Sequence, residues 1–166
     1  MRLHLGAVSL ALLLQACASP VGVVPGMSRD AVAAVWGEPQ ASYDLPEGPQ
    51  RLFYDRQRDG TQRLALDFDA QGRLLRSQEV LTLSSLSSVV QPPLRTQEVL
   101  QRLGPPTQQR VQMDGQDEQR KTVVWIYRWY DQGRYRLASI QFNVAGLAET
   151  VQLIDDPTDP RQDKYR

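Results

Sequence analysis

Few residues in this chain can do chemistry, and their spacing limits what they can do. There is one cysteine, Cys17, and one histidine, His4, upstream of it. If residues 1–16 are removed, no histidine is left for a Ser-His-Asp or Cys-His arrangement. A lone cysteine also excludes an internal disulfide and the zinc sites built from His and Cys. Carboxylates and aromatics remain. Asp67 and Asp69 fall at i and i+2 of an alternating segment, so they share one strand face, a geometry suited to general acid–base chemistry. Gln141 and Asn143 occupy the corresponding places later in the chain, which favours solvent-facing polar alternation. Asp155, Asp156 and Asp159 lack the spacing of an EF-hand loop and read as part of a solvated tail. No catalytic residue, metal site or cofactor is expected.

The best candidate for partner binding is Trp125-Ile126-Tyr127-Arg128-Trp129-Tyr130. In a strand, Trp125, Tyr127 and Trp129 point one way, and Ile126, Arg128 and Tyr130 the other. One set lines the core. The other exposes Arg and Tyr, or Trp and Tyr, types enriched in interface hot spots. The preferred reading puts Trp125 and Tyr127 in the core, because Leu52 and Tyr54 hold equivalent places in an earlier segment. Asp114 to Glu118, with Arg120 and Lys121, reads as a charged loop without an earlier counterpart.

That earlier segment belongs to an internal repeat, seen when the sequence is slid on itself by about 67 to 74 residues. Gly26 to Pro39 aligns with Pro93 to Pro106, Leu52-Phe53-Tyr54 with Trp125-Ile126-Tyr127, and Leu66-Asp67-Phe68-Asp69 with Ile140-Gln141-Phe142-Asn143. Each copy predicts a short helix: Ser28 caps the first and Gly37 with Pro39 ends it, while Thr96 caps the second and Gly104 ends it. Three strands follow in each, over about 51–58, 61–69 and 73–83, then 123–131, 134–143 and 148–154. Asp59-Gly60 is the stronger hairpin signal and Gln132-Gly133 the weaker. The expected fold class is therefore α+β, two tandem repeats of short helices packed on a three-stranded antiparallel sheet. Residues 25–83 form the first unit, and 84–155 a linker helix with the second. Residues 156–166 form a polar tail expected to be disordered.

Arg2 precedes an apolar run, Leu5–Leu14, too short at about 1.5 Å per residue to cross a hydrocarbon core of roughly 30 Å. It reads as an export signal over residues 1–16. Leu14-Gln15-Ala16-Cys17 resembles the lipobox of bacterial lipoproteins. That resemblance implies cleavage before Cys17, a diacylglycerol on its thiol and acylation of the new amino group. Ala18, rather than Asp, implies the outer membrane as destination, with residues 17–24 as a tether and the body facing the periplasm. Basic and acidic residues balance at 19 each and are interspersed, so no nucleic-acid footprint stands out.

The unit Gly26-Met27-Ser28, Trp36-Gly37-Glu38-Pro39, a strand ending in Tyr54, then Leu66-Asp67-Phe68-Asp69 and Gly72 resembles the BamE (SmpA/OmlA-like) domain. That family is known from a small lipoprotein of the outer-membrane barrel assembly machinery, with one unit where this chain has two. A tandem pair is also similar, more distantly, to β-lactamase-inhibitory proteins, which carry disulfides that this chain lacks. The resemblance implies a lipid-anchored, non-enzymatic interaction or scaffold module of the cell envelope with an envelope protein as partner. The alternative it leaves is an inhibitor of a periplasmic enzyme. The sequence leaves the oligomeric state open.

Overall fold

The structure, a computed structural model, describes residues 22–113 and 121–159. Cys17, the export segment, the loop from Asp114 to Arg120 and the last seven residues lie outside the described residues. Helix α1 (Arg29–Trp36) leads into strands β1 (Ala41–Asp44), β2 (Gln50–Asp55), β3 (Arg63–Phe68) and β4 (Leu74–Glu79). Helices α2 (Leu83–Ser87) and α3 (Thr96–Leu103) lead into β5 (Gln108–Met113), β6 (Lys121–Asp131), β7 (Arg134–Phe142) and β8 (Ala148–Asp155). The strands form two antiparallel four-stranded meanders, β1-β2-β3-β4 and β5-β6-β7-β8.

This overturns the expected α+β fold with three-stranded sheets: the chain is mostly β. The additional strand in each unit is an edge strand. β1 is only Ala-Ser-Tyr-Asp, and β5, Gln-Gln-Arg-Val-Gln-Met, is mostly polar. A strand paired along one side and exposed at its tip needs no apolar alternation, so period-2 reasoning passes over it.

The two units repeat one another in detail. Leu52 pairs with Leu66 as Trp125 pairs with Ile140. A bulge lies between Asp67 and Phe68, and another between Gln141 and Phe142. Isolated bridges join Ser28 to Arg73 and Arg95 to Leu147, tying the start of each helix to the third long strand of its sheet. Ser28 Oγ accepts the Ala31 N–H at 3.2 Å, as an N-cap should. Thr96 is not the second cap. It is the first helical residue, and the Glu98 carboxylate closes that end by accepting the Arg95 N–H at 2.6 Å.

The hairpins reverse the expected order of strength. Gln132 (φ 47°) and Gly133 (φ 83°) form a two-residue connection between paired Asp131 and Arg134, with positive φ at both positions. The Asp59-Gly60 hairpin is wider: Asp55 pairs with Arg63, and the residues between them form a longer loop.

Beneath α1, Val32 packs on Leu52, Tyr54, Leu66, Phe68 and Leu74. Beneath α2 and α3, Leu86, Val89, Val99 and Leu103 pack on Trp125, Tyr127, Trp129, Ala138, Ile140 and Phe142. The first sheet differs from the second in being buried on both faces. Nearly every residue of β2 and β3 is buried, whereas β7 alternates.

Candidate functional site

What covers the second face of the first sheet is the end of α3. Phe53, Ala65 and Val80 form a small apolar cluster on that face. Gly104, the residue that ends α3, lies so close to it that a Cβ there would stand 3.0 Å from the Phe53 ring. Two arginines flank the ring and point at the helix end. Arg51 is held by Asp67 through two bonds, Nε–Oδ1 at 2.6 Å and Nη2–Oδ2 at 2.8 Å, and Nη1 donates to the Gln101 carbonyl at 3.0 Å. Arg63 is held by Asp55 in the same forked manner, and its Nη1 donates to the carbonyls of Leu103 and Pro105. The last carbonyls of a helix have no intrahelical partner and carry partial negative charge, so guanidinium groups satisfy them twice over. Gln101 Nε2 adds a bond to the Asp44 carbonyl at 2.8 Å.

Asp67 is thus no solvent-facing carboxylate, as the alternation suggested: its side chain is 3% exposed, and it also takes Arg76 Nε at 2.7 Å. Burial works to raise its pKa, but the hydrogen bonds and charges of Arg51 and Arg76 outweigh this and hold it below the ordinary value. Asp69 does turn work, accepting the N–H groups of Gln71 and Arg73. The two aspartates do not converge on a common site.

The aromatic strand is likewise consumed within the molecule. Trp125, Tyr127 and Trp129 are all buried, so none of them offers a binding surface; the expectation of Trp129 as an exposed candidate is corrected. Tyr127 Oη donates to the Gly104 carbonyl at 3.0 Å, and burial pushes its hydroxyl far above the ordinary range. Arg128 and Tyr130 lie on the opposite face but are only partly exposed. Arg128 pairs with Asp156 and stacks on the Tyr135 ring at 4.2 Å. Tyr130 meets Tyr135 edge-on at 5.3 Å, and its N–H reaches the Thr61 carbonyl of the first unit at 3.3 Å.

The reading of Asp156 and Asp159 as solvated is overturned in the same place. Asp156 is 2% and Asp159 5% exposed. Asp156 Oδ1 caps Thr158, and Asp159 Oδ2 accepts the Tyr135 N–H at 3.1 Å. Burial works to raise Asp156, but Thr158 and Arg128 together hold its carboxyl below the ordinary value. These groups fasten the start of the tail. Among the described residues no cluster of metal-ligating side chains is found.

The second sheet keeps one face open. It is the face opposite Trp125, Tyr127 and Trp129. Ile126 of β6, Leu137 of β7 and Ile154 of β8 share it by strand register and join no core cluster, while Val124 on the same face is buried. Ile154 is 52% exposed. Gln108, Arg110, Gln141, Gln152 and Thr150 border the strip on the same face. An aliphatic strip with a polar rim is the usual anatomy of a protein-binding patch. Of the residues expected from the sequence as partner-binding, Arg128 and Tyr130 lie on this face, and Trp125, Tyr127 and Trp129 lie in the core. The signal available was the exchange of Arg51 for Val124 and Arg63 for Leu137 between copies.

No family model, curated protein or solved structure shows a significant match to the chain. Among the described residues no helix is long and apolar enough to cross a membrane.

Proposed function

We propose that this chain is a lipid-anchored binding module of the bacterial cell envelope whose working surface is the open face of the second sheet. The observation that carries the reading is the contrast between equivalent faces. In the first unit the face is filled by the end of α3, held by Arg51 and Arg63; in the second the same face presents Ile126, Leu137 and Ile154, which join no core cluster among the described residues. The carboxylates of a cleft of about 440 Å³ beside the Asp59 hairpin are already engaged. Asp55 is bound to Arg63 and Asp59 to Thr61, an occupancy suited to structure rather than to proton transfer. The pattern at Leu14 to Cys17 supports the anchor and an outer-membrane destination, and the BamE-like motif order supports an envelope protein as partner.

In-cell photo-crosslinking tests this. A probe replacing exposed Gln152 is expected to give a discrete protein adduct, reduced when Ile126 is changed to Asp. Adducts only to phospholipid or peptidoglycan fragments would defeat the reading.

A further inference from the structure

The interface within the chain has two halves, and each half occurs a second time without its mate. The half supplied by the second unit is the C-terminal turn of α3 with Gly104. α1 ends in the same geometry: Gly37 has φ 78° and ψ −159°, Gly104 φ 76° and ψ −171°. Each glycine N–H closes the helix at 2.8 Å, Gly37 on Ala33 and Gly104 on Leu100. Around Gly104 there is no room, but a Cβ on Gly37 would meet nothing within 4 Å. Ala34, Val35, Gly37 and Glu38 are exposed around the helix end. α1 has no basic residue in its last turn, whereas α3 has Arg102 there and Arg51 and Arg63 at its end.

The half supplied by the first unit is the face around Phe53. Register fixes its counterparts in the second unit: Ile126 stands where Phe53 does, Ser139 where Ala65 does, and Ile154 at the place of Val80. Arg51 and Arg63 give way to Val124 and Leu137. The donors have not vanished, because at each place an arginine stands one strand over on the same face. Arg110 is opposite Val124, and Arg128 is opposite Leu137. Arg128 also pairs with Asp156 through Nε. The open face therefore combines a more apolar floor with guanidinium groups at its sides, suited to the end of a helix with no basic residue in its last turn.

The geometry points to a second copy of this chain as the occupant: the α1 end of one copy seats on the open face of the next. This rests on the reading of that face as a binding surface. The two patches are different parts of the molecule, so the contact is heterologous and propagates head to tail instead of closing as a two-fold dimer. Copies anchored in one membrane plane meet at raised effective concentration, which favours a contact too weak to persist in dilute solution.

The test uses the full chain in cells, with a photo-reactive residue at Val35 on the rim of the helix end. The expected product has twice the mass of one chain, with crosslinked peptides mapping to β6, β7 or β8 of the other copy. Ile126→Asp is expected to reduce its yield at least about tenfold, the equivalent of losing roughly 1.4 kcal/mol. Ala34→Arg in the probe-bearing copy should do the same. Co-expression of an Ala34→Arg copy with an Ile126→Asp copy leaves one intact half on each, and should restore a dimer but no longer species. A product mapping Val35 to Val35, or a yield indifferent to Ile126→Asp, would overturn head-to-tail assembly. If the Val35 probe gives no dimer while the Gln152 probe captures another protein, self-assembly fails and the binding face stands. If neither probe yields a protein adduct, both fail.

Discussion

Asp67 holds two arginines, and one of them, Arg51, holds the end of a helix. Truncating one partner of a buried ion pair leaves an uncompensated charge, a loss of about 3–5 kcal/mol. Asp67→Ala is accordingly expected to lower stability by that amount in denaturant unfolding, whereas Arg76→Ala, whose side chain is 62% exposed, should cost under about 1 kcal/mol. The same residue predicts the acid response. Its folded pKa lies below the ordinary 3.8, so its contribution is complete above that value and fades as pH falls through the folded pKa. Asp156 acts in the same direction. Glu79, raised by burial, acts oppositely: its contribution is complete below about 4.5 and fades as pH rises through its folded pKa. Thermal midpoints should therefore fall as pH drops below about 4, and Asp67→Asn should flatten that slope. Periodicity put Asp67 on the face opposite Leu64, Leu66 and Phe68, correctly. Nothing local in the sequence could say that this face is covered by residues some forty positions downstream.

At the scale of elements, the two helix ends give a matched comparison. Gly37 and Gly104 share a backbone region that is nearly reserved for glycine, so alanine at either position carries strain of about 1–3 kcal/mol. Only Gly104→Ala must also displace the Phe53 ring. Gly104→Ala is expected to be the more destabilising by at least about 1 kcal/mol, a typical overpacking cost, and to loosen the clasp between units. Equal losses in the two variants, measured by chemical denaturation, would mean that the seam between units contributes little. Among the described residues, six of the eight strands and both eight-residue helices are legible in the sequence, because helical spacing and alternation are strong there. β1 and β5 are not, since an edge strand obeys weaker rules. The hairpins mislead for a related reason. Gly60 occupies a positive φ within a wide loop, and the sequence Asp-Gly does not fix loop length.

For the whole molecule, the proposed anchor and the proposed binding face together would set the geometry of action. Only five residue steps separate Cys17 from Gly22, a reach of under about 20 Å at full extension, so the proposed anchor at Cys17 would keep the first unit close to the membrane. Cys17→Ala is expected to move the protein from the membrane to the soluble fraction on cell fractionation and to abolish its labelling by a fatty-acid analogue. The seam between units makes the second unit follow the first. Arg51 and Arg63 bond backbone carbonyls of α3, and Tyr130 bonds Thr61, so the open face is presented by a jointed pair and not by a free domain. The repeat was visible in the sequence, but its meaning was not: two similar units can lie side by side or cover one another. Burial of both faces of β2 and β3 records the second arrangement.

The most direct test of the central claim, that the open face of the second sheet is where this protein binds, is photo-crosslinking in cells from Gln152 beside a control probe at exposed Glu47 of the first unit. A discrete protein adduct is expected from position 152 that Ile126→Asp removes and that position 47 does not give. Identical adduct patterns from the two positions, or none sensitive to Ile126, would contradict it.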